Sequence, residues 1–80
     1  MKTKGRIRSL AGISASGTNF EQGARDVLKA ALAIPTREIR RWSAEQLDDF
    51  TDALRTENEA YLREYFHGRV WALRWIRSPG

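Results

Sequence analysis

Eighty residues suffice for one small domain, and a chain of that length buries little more than about 60% of its unfolded surface, so its margin of stability is thin. Cysteine is absent, which excludes a disulfide framework and a zinc–thiolate site and leaves self-association or docking on a partner as the way to complete the core. The net charge of +4 is unevenly spread: +6 over residues 1–42, −5 over 43–66 and +3 over 67–80. That alternation points to internal pairing of basic and acidic elements, or to two surfaces for different partners.

Residues 1–18 read as a flexible basic arm. Gly5, Gly12 and Gly17, with Ser9, Ser14, Ser16 and Thr18, interrupt the helical spacing of Ile7, Leu10 and Ile13. Met1-Lys2-Thr3-Lys4 begins as a signal peptide would, but Arg6, Arg8, Ser9 and Gly12 leave no apolar stretch of signal length. No segment approaches the roughly 20 apolar residues of a membrane helix, so no transmembrane segment is expected and the expected location is cytoplasmic.

A single helical domain is expected over residues 19–77. Its first helix spans about 19–33: Thr18 with Glu21, or Asn19 with Gln22, forms a capping box. Phe20, Ala24, Val27, Leu28, Ala31 and Leu32 make one apolar stripe, and Pro35 ends it. Thr36 then caps a short helix over 37–42, with Ile39 and Trp42 inward and Arg37, Arg40 and Arg41 outward. Ser43 with Gln46 opens a long helix over 44–66, whose early turns hold Glu45, Asp48, Asp49 and Asp52, where the helix dipole favours acids. Leu47, Phe50, Leu54, Tyr61 and Tyr65 mark its apolar stripe, with His67 in the last turn and Gly68 as C-cap. The Trp/Arg-rich run 69–77 fits a helix through Val70, Leu73 and Ile76, or a strand through Trp71, Leu73 and Trp75. The fold class is therefore all-α with three helices; the alternative is α+β with a terminal strand pair formed with Arg6 to Leu10.

Leu28 to Trp42 resembles the helix-turn-helix of DNA-binding regulators: a helix ending in Leu32-Ala33-Ile34, a Pro35-Thr36 turn, then a helix carrying Ile39 and Trp42. The family carries a small residue where this chain has Lys29 and a glycine where it has Ala33. The resemblance implies that Leu32 and Ile34 wedge between two helices while Thr36, Arg37, Glu38, Arg40 and Arg41 face the groove. Arginine is the commonest reader of guanine and a strong phosphate partner. Lys2, Lys4, Arg6 and Arg8 of the arm would add phosphate contacts.

Signatures of catalysis are missing: one histidine, no cysteine and no glycine-rich phosphate loop. Asp48, Asp49 and Asp52 read as dipole partners on a wet face, and neither a metal nor a cofactor is expected. The reading is a small non-catalytic binding protein, a helix-turn-helix regulator with nucleic acid (DNA) as partner. The alternative is a protein-binding assembly factor, adaptor or inhibitor of the phage or mobile-element type. It would dock on another protein, such as an acidic surface, through the helix 44–66 or through Trp71, Arg74, Trp75 and Arg77, because Trp and Arg are enriched at binding hot spots. In either case a homo-oligomer or hetero-complex is expected.

Overall fold

Thr18 accepts a hydrogen bond from the Glu21 N–H at 3.1 Å, closing the start of the helix that capping and periodicity predict. In the computed structural model, which describes residues 1–13 and 17–80, the elements are α1 (Lys4–Ala11), α2 (Asn19–Ala33), a 3₁₀ turn (Thr36–Glu38), α3 (Ile39–Thr56) and α4 (Ala60–Arg77). The all-α class holds, with four helices in place of three; no strand occurs among the described residues. The run 69–77 is helix, as the last half of α4.

α4 is the central element: α2 and α3 both pack on it, and α1 packs on α2. Ile7 of α1, Val27, Leu28 and Ala31 of α2, Ile39 of α3, and Ala72, Leu73 and Ile76 of α4 form one buried cluster. Burying these side chains is the main stabilising term, at about 25 cal/mol per Å² removed from water.

Two glycines set the α2–α4 crossing. A methyl at Gly23 would overlap the Tyr65 carbonyl oxygen, and one at Gly68 would overlap the Phe20 carbonyl oxygen. The helices therefore touch backbone to backbone at both points, which only glycine permits. Gly68 thus lies inside α4 and caps nothing, a correction to its expected role.

Three further expectations change. Residues 4–11 of the arm are helical: Thr3 accepts from the Arg6 N–H at 3.3 Å, Ile7 is fully buried, and the Lys2 N–H donates to the Ile76 carbonyl at 2.8 Å. An isolated eight-residue helix is unstable in water, so these tertiary contacts hold it. The remainder of the arm, at Ser14 to Ser16, lies outside the described residues.

The second change is the register of the long helix. It begins at Ile39, without a side-chain cap, and ends at Thr56. Ser43 is therefore not an N-cap; it is a fully buried residue inside α3, its Oγ donating to the Arg40 carbonyl at 3.1 Å. Thr36 likewise opens the 3₁₀ turn and does not cap α3. Asp48, Asp49 and Asp52 sit in the middle and last part of α3, not its first turn, so the dipole does not account for them.

The third change is a break at Glu57, Asn58 and Glu59. Glu57 Oε1 accepts from the Glu59 N–H at 3.1 Å, and Arg63 Nη1 donates to the carbonyls of Leu54 (2.6 Å) and Glu57 (2.9 Å). These bonds satisfy the carbonyls that a helix end exposes. The break separates Leu47, Phe50 and Leu54 from Tyr61 and Tyr65. Phe50 and Leu54 are half-buried and Tyr61 is 57% exposed, so the core's centre lies elsewhere, at Leu73 and Ile76.

Candidate functional site

Four chain segments meet at one end of the molecule: the start of α1, the end of α2, the 3₁₀ turn with the start of α3, and the end of α4. Lys4 Nζ donates to the Leu32 carbonyl at 3.2 Å, tying α1 to α2. Lys2 Nζ donates to Ser78 Oγ at 3.0 Å and to the Pro79 carbonyl at 2.5 Å, and it lies 5.4 Å above the Trp75 ring. Arg6 donates to the Gly80 carbonyl. Arg77 Nη1 donates to the Arg40 carbonyl at 2.7 Å and to Ser43 Oγ at 3.0 Å, tying α4 to α3. Lys2, Lys4, Thr36 and Ile39 also line one shallow cavity of about 320 Å³.

The structure thus brings together residues that the sequence holds in three separate groups. Lys2, Lys4 and Arg6 of the arm, Thr36, Arg37 and Arg40 of the turn, and Arg77 of the Trp/Arg tail share this end. Thr36, Arg37, Arg40 and Arg41 are all exposed. Arg41 pairs with Glu45 at 3.6 Å, a surface ion pair worth little in water. Arg8 is exposed further along α1, and Trp71 and Arg74 are exposed on the outer face of α4. Trp75 is half-buried beneath Lys2.

The oxygens that hold these cations matter for the electrostatics. Lys2, Lys4 and Arg77 are bound to carbonyl and hydroxyl oxygens, which are neutral. Their positive charge is therefore positioned but not cancelled. Beside Arg37 and Arg40 they make five cations around the acid Glu38. The α3–α4 hairpin carries the opposite sign in Asp48, Asp49, Asp52, Glu57, Glu59 and Glu64. Along α3, at about 1.5 Å per residue, Asp48 lies about 12 Å and Asp52 about 18 Å beyond Arg40, so the two signs are displaced along the helix.

Between Ala33 and Ile39 the chain turns through extended Ile34 and Pro35, then the 3₁₀ turn. No non-glycine residue among the described ones has a positive φ. Ala33 therefore does not adopt the left-handed conformation that a glycine supplies at that point of a helix-turn-helix.

A second polar cluster joins α2 to α4. Tyr65 Oη donates to Asp26 Oδ2 at 2.5 Å and accepts from Arg69 Nη1 at 3.1 Å. The Arg69 guanidinium lies 4.2 Å above the Phe50 ring, and its buried Nε has no partner. Burial, and then the hydrogen bond to Asp26, hold the Tyr65 hydroxyl above its ordinary pKa of 10. A group whose folded pKa is raised stabilises fully below its unfolded value and loses that contribution as pH climbs through the folded one. Stability should therefore fall as pH rises above 10, and Tyr65→Phe should flatten that fall. The same substitution should cost about 0.5 to 1.5 kcal/mol at neutral pH, because it removes a hydrogen bond from each of the half-buried Asp26 and Arg69. Urea melts at pH 7 and above pH 10 measure both effects.

Among the described residues no three His, Asp or Glu side chains are gathered as metal ligands, and no helix is long and apolar enough to cross a membrane. Comparison of the chain with protein-family models, with curated proteins and with solved structures gives no match.

Proposed function

We propose that this protein binds nucleic acid, and duplex DNA first, through its basic end, as a small non-catalytic regulator. The observation that carries the reading is the gathering of Lys2, Lys4, Arg37, Arg40 and Arg77 at one end with their charges left uncancelled. A polyphosphate backbone is the common ligand of such a surface, because each neutralised phosphate releases condensed counterions. The acidic α3–α4 hairpin repels the same backbone, so the field would orient the protein as it approaches. The start of α3, with Thr36, Arg37 and Arg40 exposed, is the element offered to a groove, in the manner of the helix-turn-helix that residues 28–42 resemble.

Arg37→Ala with Arg40→Ala tests this. Arg77 grips the backbone carbonyl of Arg40, not its side chain, so the fold should survive the pair. Loss of two phosphate contacts should make the slope of log affinity against log salt shallower by about 1.8. Fluorescence anisotropy with a labelled duplex at several salt concentrations reads that slope. A double variant whose affinity and slope equal those of the wild type would remove these arginines from the interface.

A further inference from the structure

α4 is covered by α2 and α3 along most of its surface, and what remains exposed is narrow and regular. Past its first turn its exposed residues are Glu64, His67, Trp71 and Arg74, preceded by Tyr61 at the open end. From Glu64 the steps are three, four and three, the spacing of a helix seam that faces another helix. The strip sets the aromatic Tyr61 and Trp71 among the polar Glu64, His67 and Arg74. Trp71 is 44% exposed and Tyr61 57%, and Phe20 of α2, itself 37% exposed, lies 6.1 Å from the Trp71 ring and widens the apolar strip. An open groove of about 700 Å³ runs beside it, lined by Phe20, His67, Trp71 and Arg74 among others.

We infer that this strip is the contact between two copies of the chain, with the two α4 helices antiparallel about a two-fold axis at Arg69. In that register each residue meets the one as far beyond Arg69 as it lies before it. Glu64 then faces Arg74 of the second copy, His67 faces its Trp71, and the symmetry repeats both contacts. Every charge on the strip finds its opposite, and both tryptophans leave water. Parallel pairing would set Glu64 against Glu64 and Arg74 against Arg74, so the charges select the antiparallel arrangement. Among the described residues Glu64 makes only a long 3.4 Å contact from Asn19 within its own chain, which leaves its carboxylate available to the second copy. A two-fold contact closes on itself and yields a dimer and no larger assembly. The inference does not rest on nucleic-acid binding, since the basic end and the strip are different surfaces.

Charge reversal tests the register. Sedimentation equilibrium should show the wild type as a dimer at high concentration. Glu64→Arg alone, or Arg74→Glu alone, sets like charges together twice and should weaken association by about tenfold or more. A chain carrying both changes should dimerise again. An equal mixture of the two single variants should form a heterodimer, because all four charges then meet opposites. Far-ultraviolet circular dichroism confirms that each exposed-site variant stays folded. A wild type that remains monomeric up to its solubility limit overturns the inference. So does a dimer that the single reversals leave as tight as before, or single variants that neither the double change nor mixing restores.

Discussion

Gly68→Ala is expected to lower the stability of the fold by about 2 to 3 kcal/mol. Two effects oppose each other. Alanine in a helix interior is favoured over glycine by about 1 kcal/mol. Against this, the added methyl meets the Phe20 carbonyl oxygen and Cα, backbone atoms that can yield only if α2 moves off α4. Overpacking a well-packed contact costs about 1 to 3 kcal/mol and occasionally more, and a rigid backbone partner puts this site at or above the upper figure. A domain of this size has roughly 4 to 12 kcal/mol in total, so the melting temperature should drop by about 10 °C or more. Gly5→Ala is the matched control. It lies in exposed α1 with no atom closer than 3.9 Å to the added carbon, so stability there should rise by about 0.5 to 1 kcal/mol. Thermal melts of the two variants moving in the same direction would mean that the α2–α4 crossing is not backbone to backbone.

Leu73→Ala should cost about 2 to 5 kcal/mol, the range for a leucine truncated inside a core that cannot collapse around the void. Leu73 is fully buried, and it shares the central cluster with Val27, Ile39 and Ile76. Leu54, which the sequence periodicity puts at the middle of the best apolar stripe, is only half-buried. Its truncation to alanine should cost about half as much or less. Denaturant melts of the two variants measure the ranking. A larger loss at Leu54 would return the centre of the core to the α3 stripe.

The contrast between those two leucines shows where the sequence is informative. α2 carries its whole definition locally: the Thr18 cap, the stripe from Ala24 to Ala31 and the stop at Pro35 all act within its own residues. Its bounds at 19 and 33 follow from the chain alone. α1 does not have this property. Gly5 and Gly12 weaken it locally, and it exists because Ile7 reaches the core and the Lys2 amide reaches the end of α4. The break at 57–59 left one signal, the absence of any apolar residue between Leu54 and Ala60. Asn58 occupies the place where the stripe needed a hydrophobe. A stripe continued through that gap ends one long helix at Gly68, and the Ser43–Gln46 pattern starts it at Ser43, where local rules expect the two caps. Their actual positions are set by tertiary contacts: a buried hydroxyl beneath Arg77, and a backbone crossing against Phe20.

The candidate site divides in the same way. That Arg37, Arg40 and Arg41 would be exposed follows from their spacing around Ile39 and Trp42. That Lys2, Lys4 and Arg77 would join Arg37 and Arg40 does not, because the connection runs through carbonyls at the ends of α2, α3 and α4. Of the strip on α4, Trp71 and Arg74 are among the docking residues that the sequence suggests, whereas their alignment with Glu64 and His67 depends on α4 running through Gly68. Tyr61 and Tyr65 look equivalent along the stripe, and only the break decides that one is exposed while the other is half-buried and hydrogen-bonded to Asp26.

The positive end, if it binds a polyphosphate backbone as proposed, should show it first at low salt. The most direct measurement is a titration of the wild-type protein into a labelled DNA duplex, beginning at low salt where charge attraction is strongest. The account predicts binding at low salt, with log affinity falling linearly as log salt rises, at a slope of about 0.9 for each phosphate contacted. A duplex that shows no change at the lowest salt, at protein concentrations well above those of non-specific binding, would contradict it.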